Sequence, residues 1–163
     1  MSEMKFIAEP GKQEVIVTLV FDAPRDLLFK TYLDPDLRAE WWGPSFVTTK
    51  VEKIEARTGG SWRIVQRDPE GNEFAFHGVF HEVTPERIVE TFEWEGMPGH
   101  VSFQTSTLEE TGGKTTLTLN VVFQSVEDRD GMVNSGMREG MDEGMKRLDV
   151  LLQRILRGTA KAA

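Results

Sequence analysis

The sequence predicts an α+β domain in which a curved antiparallel sheet wraps around one long final helix. Three observations predict it. A strand-like run, Val15 to Phe21, leads into a short helical stretch that closes on Asp34-Pro35 through Trp41-Trp42-Gly43-Pro44. Roughly eighty residues with the two-residue period of strands follow. A helical segment, Ser125 to Arg157, then ends the chain. One strand, two short helices, an antiparallel run and a long helix bury their apolar faces most readily when the sheet curls around the helix. Such a shape has a cavity built in.

The elements can be justified in order. Residues 1–12 are expected as an N-terminal tail ending at Pro10-Gly11. In the next run, Val15, Val17 and Leu19 share one face of a strand. Pro24 suits the first position of a helix, where a missing N–H costs nothing. Asp34 is suited to cap a second helix, with Pro35 at its first position and Gly43-Pro44 as its stop.

From Phe46 the period changes to two. Strands are expected at Phe46 to Ala56, Ser61 to Arg67, Phe74 to Val83, Arg87 to Trp94, Val101 to Leu108 and Thr115 to Phe123. Gly59-Gly60, Asp68-Pro69-Glu70-Gly71, Thr84-Pro85-Glu86, Glu95 to Gly99 and Thr111 to Lys114 supply the connections. A bulge is expected at Gly78.

Ser125 and Asp128 form a capping-box pattern at the start of the last helix, and Asn134-Ser135-Gly136 marks a break within it. A single domain is expected over residues 13–158, with a C-terminal tail at 159–163.

Composition narrows the function. A chain of 163 residues buries a core without covalent staples, and it has no cysteine. Disulfides, thiolate catalysis and zinc-thiolate sites are therefore excluded. The net charge of −8, with no cluster of Lys and Arg, removes the electrostatic footprint of a nucleic-acid binder. No apolar signal core or membrane-length run is present, so a cytoplasmic protein without a membrane partner is expected.

The last helix carries two unusual stripes. Gly136, Gly140 and Gly144 recur every four residues, and Met137, Met141 and Met145 follow in step. Each interior glycine costs a helix about 1 kcal/mol relative to alanine. Close approach to a curved sheet offsets this, as does room for a ligand, and both stripes also read as ordinary core. Methionine is soft and suits varied apolar partners.

The ordered segments Phe21-Asp22-Ala23-Pro24, Trp41-Trp42-Gly43-Pro44, Gly59-Gly60-Ser61-Trp62-Arg63, His77-Gly78-Val79, Pro85-Glu86-Arg87-Ile88 and Gly136-Met137 to Leu148-Asp149 carry a resemblance. Together they resemble the stand-alone bacterial members of the family named for the C-terminal domain of the activator of the heat-shock chaperone ATPase. That family lies in the START-like superfamily of polyketide cyclases, pathogenesis-related proteins and lipid-transfer domains. The resemblance implies a helix-grip fold and a cavity for a small hydrophobic or amphipathic molecule, held by a carrier or sensor. A cyclase- or dehydratase-like enzyme using cavity polar groups is the alternative, and a chaperone-interacting module is the second. The chaperone activator has an additional N-terminal domain with no counterpart in these residues.

For the ligand wall, Trp62, Phe76, Phe92, Trp94 and Phe103 are the aromatic candidates. Ile64, Leu119, Met137, Met141 and Met145 complete its apolar part. Gln66 shares the predicted face of Trp62 and offers a polar contact. Trp42 is expected to plug the junction of helices and sheet. Glu90 would serve as an acid or base if buried, but is expected to face solvent on the convex side. His77 and His81 would stand roughly 13 Å apart on one strand face, too far to share a metal. No metal or cofactor is expected, and no catalytic set is assigned.

Overall fold

A computed structural model of the chain describes residues 1–162, with side chains to residue 158. Strand β2 (Glu14–Phe21) alternates half-buried and buried residues without a break, and its buried face is Val15, Val17, Leu19 and Phe21. It pairs antiparallel with β8 (Lys114–Val122), whose Leu117, Leu119 and Val121 are buried in the matching positions. The first long strand and the last thus lie side by side, and the strands between them form the rest of the sheet.

Those strands are β3 (Thr48–Ile54), β4 (Ser61–Arg67), β5 (Glu73–Thr84), β6 (Arg87–Trp94) and β7 (Val101–Thr111). With β1 (Lys5–Ile7) they make an eight-stranded antiparallel sheet in the order β1-β2-β8-β7-β6-β5-β4-β3. The tail expected at residues 1–12 therefore contains an edge strand. Phe6 pairs with Val17 of β2, and the short segment gains partners for its backbone at the sheet edge.

Helices α1 (Arg25–Leu33) and α2 (Pro35–Trp41) follow β2. Pro24 is the N-cap of α1 rather than its first helical residue. Asp34 caps α2 through its side chain, which accepts from the backbone N–H of Asp36 and Leu37 at 3.0 and 3.1 Å. Pro35 stands at the first position of α2, as its sequence requires.

The final helical region is two helices, α3 (Val126–Asn134) and α4 (Met137–Ala162). Ser125 Oγ accepts from the backbone N–H of Asp128 at 3.0 Å and starts α3. Gly136, at φ +96°, makes the break, a conformation that side-chain-bearing residues adopt with strain. The tail expected at 159–163 is taken up by α4 as far as Ala162, and residue 163 lies outside the described residues. The curved sheet grips α4, and Met145, Leu148, Leu151 and Leu152 bury its apolar face in the core with Leu28, Tyr32 and Trp41.

Residue Gly78 is not the bulge. The register of β5 against β6 shifts between Phe80 and Glu82. Gly78 is glycine for a different reason: a Cβ there would lie 1.9 Å from the backbone oxygen of Thr91 and 2.6 Å from Trp62 Nε1. The Trp62 ring covers the strand at that point.

Candidate functional site

Between the sheet and the helices lies a cavity of about 320 Å³. Its sheet wall is built by the concave-facing positions of four central strands and β8. β4 contributes Gln66, β5 Phe76, β6 Glu90 and Phe92, and β8 Leu119. β7 contributes Ser102, Gln104 and Ser106, spaced two apart and therefore on one face. The Cα register sets Glu90 directly opposite Gln104. A polar stripe thus runs along one wall.

Helix α4 supplies the facing wall through Met137, Met141 and Met145, with Gly140 and Gly144 between them. A Cβ on Gly140 would meet nothing within 4 Å, and one on Gly144 would make only ordinary contacts with the backbone of Trp41 and Gly43. Tight sheet approach does not account for Gly140; its missing side chain leaves open space at the cavity wall.

Tyr32, Arg38, Trp41 and Trp42 close one end. Trp42 is more than the plug expected from sequence. Its ring lines the cavity and stands 5.2 Å from that of Phe76 in an edge-on arrangement, and 6.3 Å from that of Phe92. The backbone beyond it is held on both sides. Gln66 Nε2 donates to the Trp42 carbonyl at 3.2 Å. Arg147 Nη1 donates to the Gly43 carbonyl at 2.7 Å. Gly43 has φ +87°, and a Cβ there would fall 2.0 Å from Gln66 Nε2. Gln66 therefore lines the cavity but spends a donor on holding this loop.

Two charged side chains reach the cavity from the interior. Arg38 on α2 is 6% exposed, and Nη1 donates to the Tyr32 carbonyl at 2.7 Å. Its guanidinium carbon lies 5.5, 5.3 and 5.7 Å from the ring centroids of Tyr32, Trp41 and Trp42, a cation among three π-faces. Arg38 Nε is buried with no hydrogen-bond partner.

Glu90 is also 6% exposed, which corrects the expectation that it faces solvent. The physical reason is parity: Glu90, Phe92 and Trp94 alternate on one strand face, and that face is concave. Burial pushes the Glu90 carboxyl up from its ordinary range, and the nearby Arg38 charge opposes this in part. Burial likewise lowers the Arg38 guanidinium and raises the Tyr32 phenol.

A second chamber of about 260 Å³ adjoins the first and shares Phe92, Ser102, Phe123 and Met132 with it. Trp94, Met97 and His100 line its outer part. His100 Nδ1 lies 2.9 Å from an Asp128 carboxylate oxygen across this mouth.

Of the residues singled out from sequence, Gln66, Phe76, Phe92, Leu119, Met137, Met141 and Met145 line the main cavity, and Trp94 lines the adjoining chamber. Trp62 and Ile64 do not. They are buried at 3% and 0% exposure, with Trp62 packed against Trp42 and Phe92. Phe103 is 45% exposed on the convex face, because its β7 neighbours Ser102 and Gln104 take the concave positions. Arg38, Trp42, Glu90 and the β7 stripe were not assigned to the wall from sequence. The signal for Glu90 was its even spacing from Phe92 and Trp94. For Arg38 no local signal exists, since an arginine on a short helix ordinarily faces water.

The histidines hold no metal arrangement. His77 lies 3.3 and 3.0 Å from carboxylate oxygens of Glu93 and Glu95, while His81 is exposed. Among the described residues no group of three His, Cys, Asp or Glu is placed to hold a metal ion, and no helix is long and apolar enough to cross a membrane.

The fold is that of several solved bacterial proteins. A Rhodobacter sphaeroides protein superposes with a TM-score of 0.85 at 24% identity, over 93% of this chain and 99% of its own. An Arthrobacter aurescens protein gives 0.85 at 24% identity, over 92% and 91%. The AHSA1 protein of Silicibacter pomeroyi gives 0.71 at 20% identity, over 86% and 97%. No match was found among curated protein sequences. The family model described as activator of Hsp90 ATPase homolog 1-like protein matches residues 22–153, from the entry to α1 through most of α4, and the chain belongs to that family.

Proposed function

We propose that this protein binds a small hydrophobic or amphipathic molecule in the cavity between sheet and α4, as a carrier or sensor. The observation that carries the reading is the α4 wall, where three methionines alternate with Gly140 and Gly144 and the missing side chain of Gly140 leaves open space. A wall evolved for packing alone would fill that space with side chains, since voids cost stability. The volume of about 320 Å³ falls at the lower end of small-molecule sites. The aromatic wall of Trp42, Phe76 and Phe92 supports an occupant with a flat apolar body.

Native mass spectrometry of freshly purified protein, repeated after denaturing extraction, tests this. A co-purifying small mass released by denaturation is the expected result. An empty protein whose melting temperature and tryptophan fluorescence ignore a panel of apolar compounds would overturn the proposal.

One observation favours a second reading, a cyclase- or dehydratase-like enzyme. Glu90 is a buried carboxyl with a raised affinity for its proton, and such a group suits a role in proton transfer. Incubation of a co-purified carbonyl ligand in deuterium oxide distinguishes the readings. Deuterium entering the ligand with native protein but not with Glu90→Gln supports the enzyme; equal labelling removes it.

A further inference from the structure

Arg38 and Glu90 present a problem that the apolar cavity does not explain. Both are more than nine-tenths buried, and both line the same cavity. Charges in such surroundings ordinarily meet as a hydrogen-bonded pair. These two do not: no nitrogen–oxygen approach of 4.0 Å or less joins them. Arg38 has one donor engaged by the Tyr32 carbonyl and leaves Nε without a partner. The Glu90 carboxyl has no hydrogen-bond partner among the described residues.

A structural role accounts for part of Arg38. Its bond to Tyr32 ties α2 to the end of α1, and three rings sandwich its guanidinium. That role does not account for Glu90. A carboxylate placed merely to neutralise the arginine would gain most by touching it, because charge-assisted hydrogen bonds are the strong ones. Glu90 instead stands against Gln104 in the sheet register, beside Ser102 and Ser106 in the polar stripe. The two side chains stand on separate elements and line one cavity.

We propose that Arg38 and Glu90 together recognise the polar head of the bound molecule, a carbonyl with an attached or neighbouring N–H or O–H on a flat apolar body. The carbonyl oxygen accepts from Arg38, and the N–H or O–H donates to Glu90. The aromatic and methionine walls take the apolar body. The inference rests on the cavity-binding reading and specifies its ligand class: carboxamides and similar neutral donor–acceptor heads, in preference to pure hydrocarbons. Both halves of the head matter, since a site built to hydrogen-bond rejects an analogue that leaves its buried groups unpaired.

Three probes of one shape test it by isothermal titration calorimetry. 2-Naphthamide accepts and donates, 2-acetonaphthone only accepts, and 2-ethylnaphthalene does neither. With the native protein, 2-naphthamide should bind about tenfold or more tighter than 2-ethylnaphthalene, one hydrogen bond to a charged group being worth at least that factor, with 2-acetonaphthone between them. Arg38→Met combined with Glu90→Met removes both charges at similar volume, and the ranking should reverse in favour of the hydrocarbon. The ranking on the native chain decides the matter even if that variant does not fold. Should all three bind with 2-ethylnaphthalene tightest, the head-group inference is overturned while the cavity reading stands. If none binds at its solubility limit, the head-group inference on a flat apolar body is overturned, and the cavity reading falls with it only where native mass spectrometry also finds the protein empty.

Discussion

Arg38 and Glu90 enter one cavity from helix and sheet, each only 6% exposed, without touching each other. The separation has consequences for stability as well as for recognition. Burial costs each charge its hydration, and the partial attraction across the cavity does not restore it.

Glu90 should make stability depend on pH in an unusual direction. Its folded-state affinity for a proton exceeds that of the unfolded chain, because burial disfavours the carboxylate. Its contribution is therefore fully present below the ordinary glutamate range and is lost as pH rises through the raised value. Glu90→Gln mimics the protonated form. Its melting temperature should exceed that of the native protein at about pH 8 and match it at about pH 4, the ordinary glutamate value lying near 4.3. A variant less stable than native at high pH would contradict this.

The convex-side network around Glu95 should behave oppositely. Arg63 grips Glu95 with two hydrogen bonds, at 2.8 and 3.0 Å, and His77 approaches at 3.0 Å. Chiefly through Arg63, the Glu95 carboxyl is held down at about 2. Its stabilisation is present above the ordinary glutamate range and fades as pH falls toward that value. Glu95→Gln should cost about 1 kcal/mol near neutrality, the scale of a partly exposed pair, and its deficit should shrink on acidification. Urea denaturation at a series of pH values reads this directly.

Gly140 separates helix stability from cavity function. Gly140→Ala should stabilise the fold by up to about 1 kcal/mol, since nothing within 4 Å obstructs the methyl group. Gly140→Leu should fold equally well but abolish binding of the naphthalene probes by occupying the cavity. Thermal melts and calorimetry on the two variants make the comparison, and retained binding in the leucine variant would show that the ligand lies elsewhere.

Gly78 should be intolerant of any side chain. The Thr91 oxygen that a Cβ would meet at 1.9 Å is backbone, and the Trp62 indole behind it is 3% exposed. Gly78→Ala should cost about 3 kcal/mol or more, as overpacking with backbone displacement does. A fully native melting curve would refute the packing described for Trp62.

Most of the elements and their order were legible in the chain alone, the short edge strand β1 and the last turns of α4 being the exceptions. The alternation of Val15, Val17 and Leu19, the caps at Asp34 and Ser125, and the break at Gly136 are local physics, and each appears in the fold. The sequence also determined most of the apolar wall, because the methionine–glycine repeat on α4 needs no knowledge of distant residues. Tertiary structure decided the polar site. Which face of β6 and β7 is concave depends on how the whole sheet curves, and that choice brought in Glu90, Ser102 and Gln104 while turning Phe103 outward. The same closure set Arg38 over the cavity, 52 residues before Glu90 in the chain. A strand's period tells which residues share a face, but only the packed helix tells which face is dry.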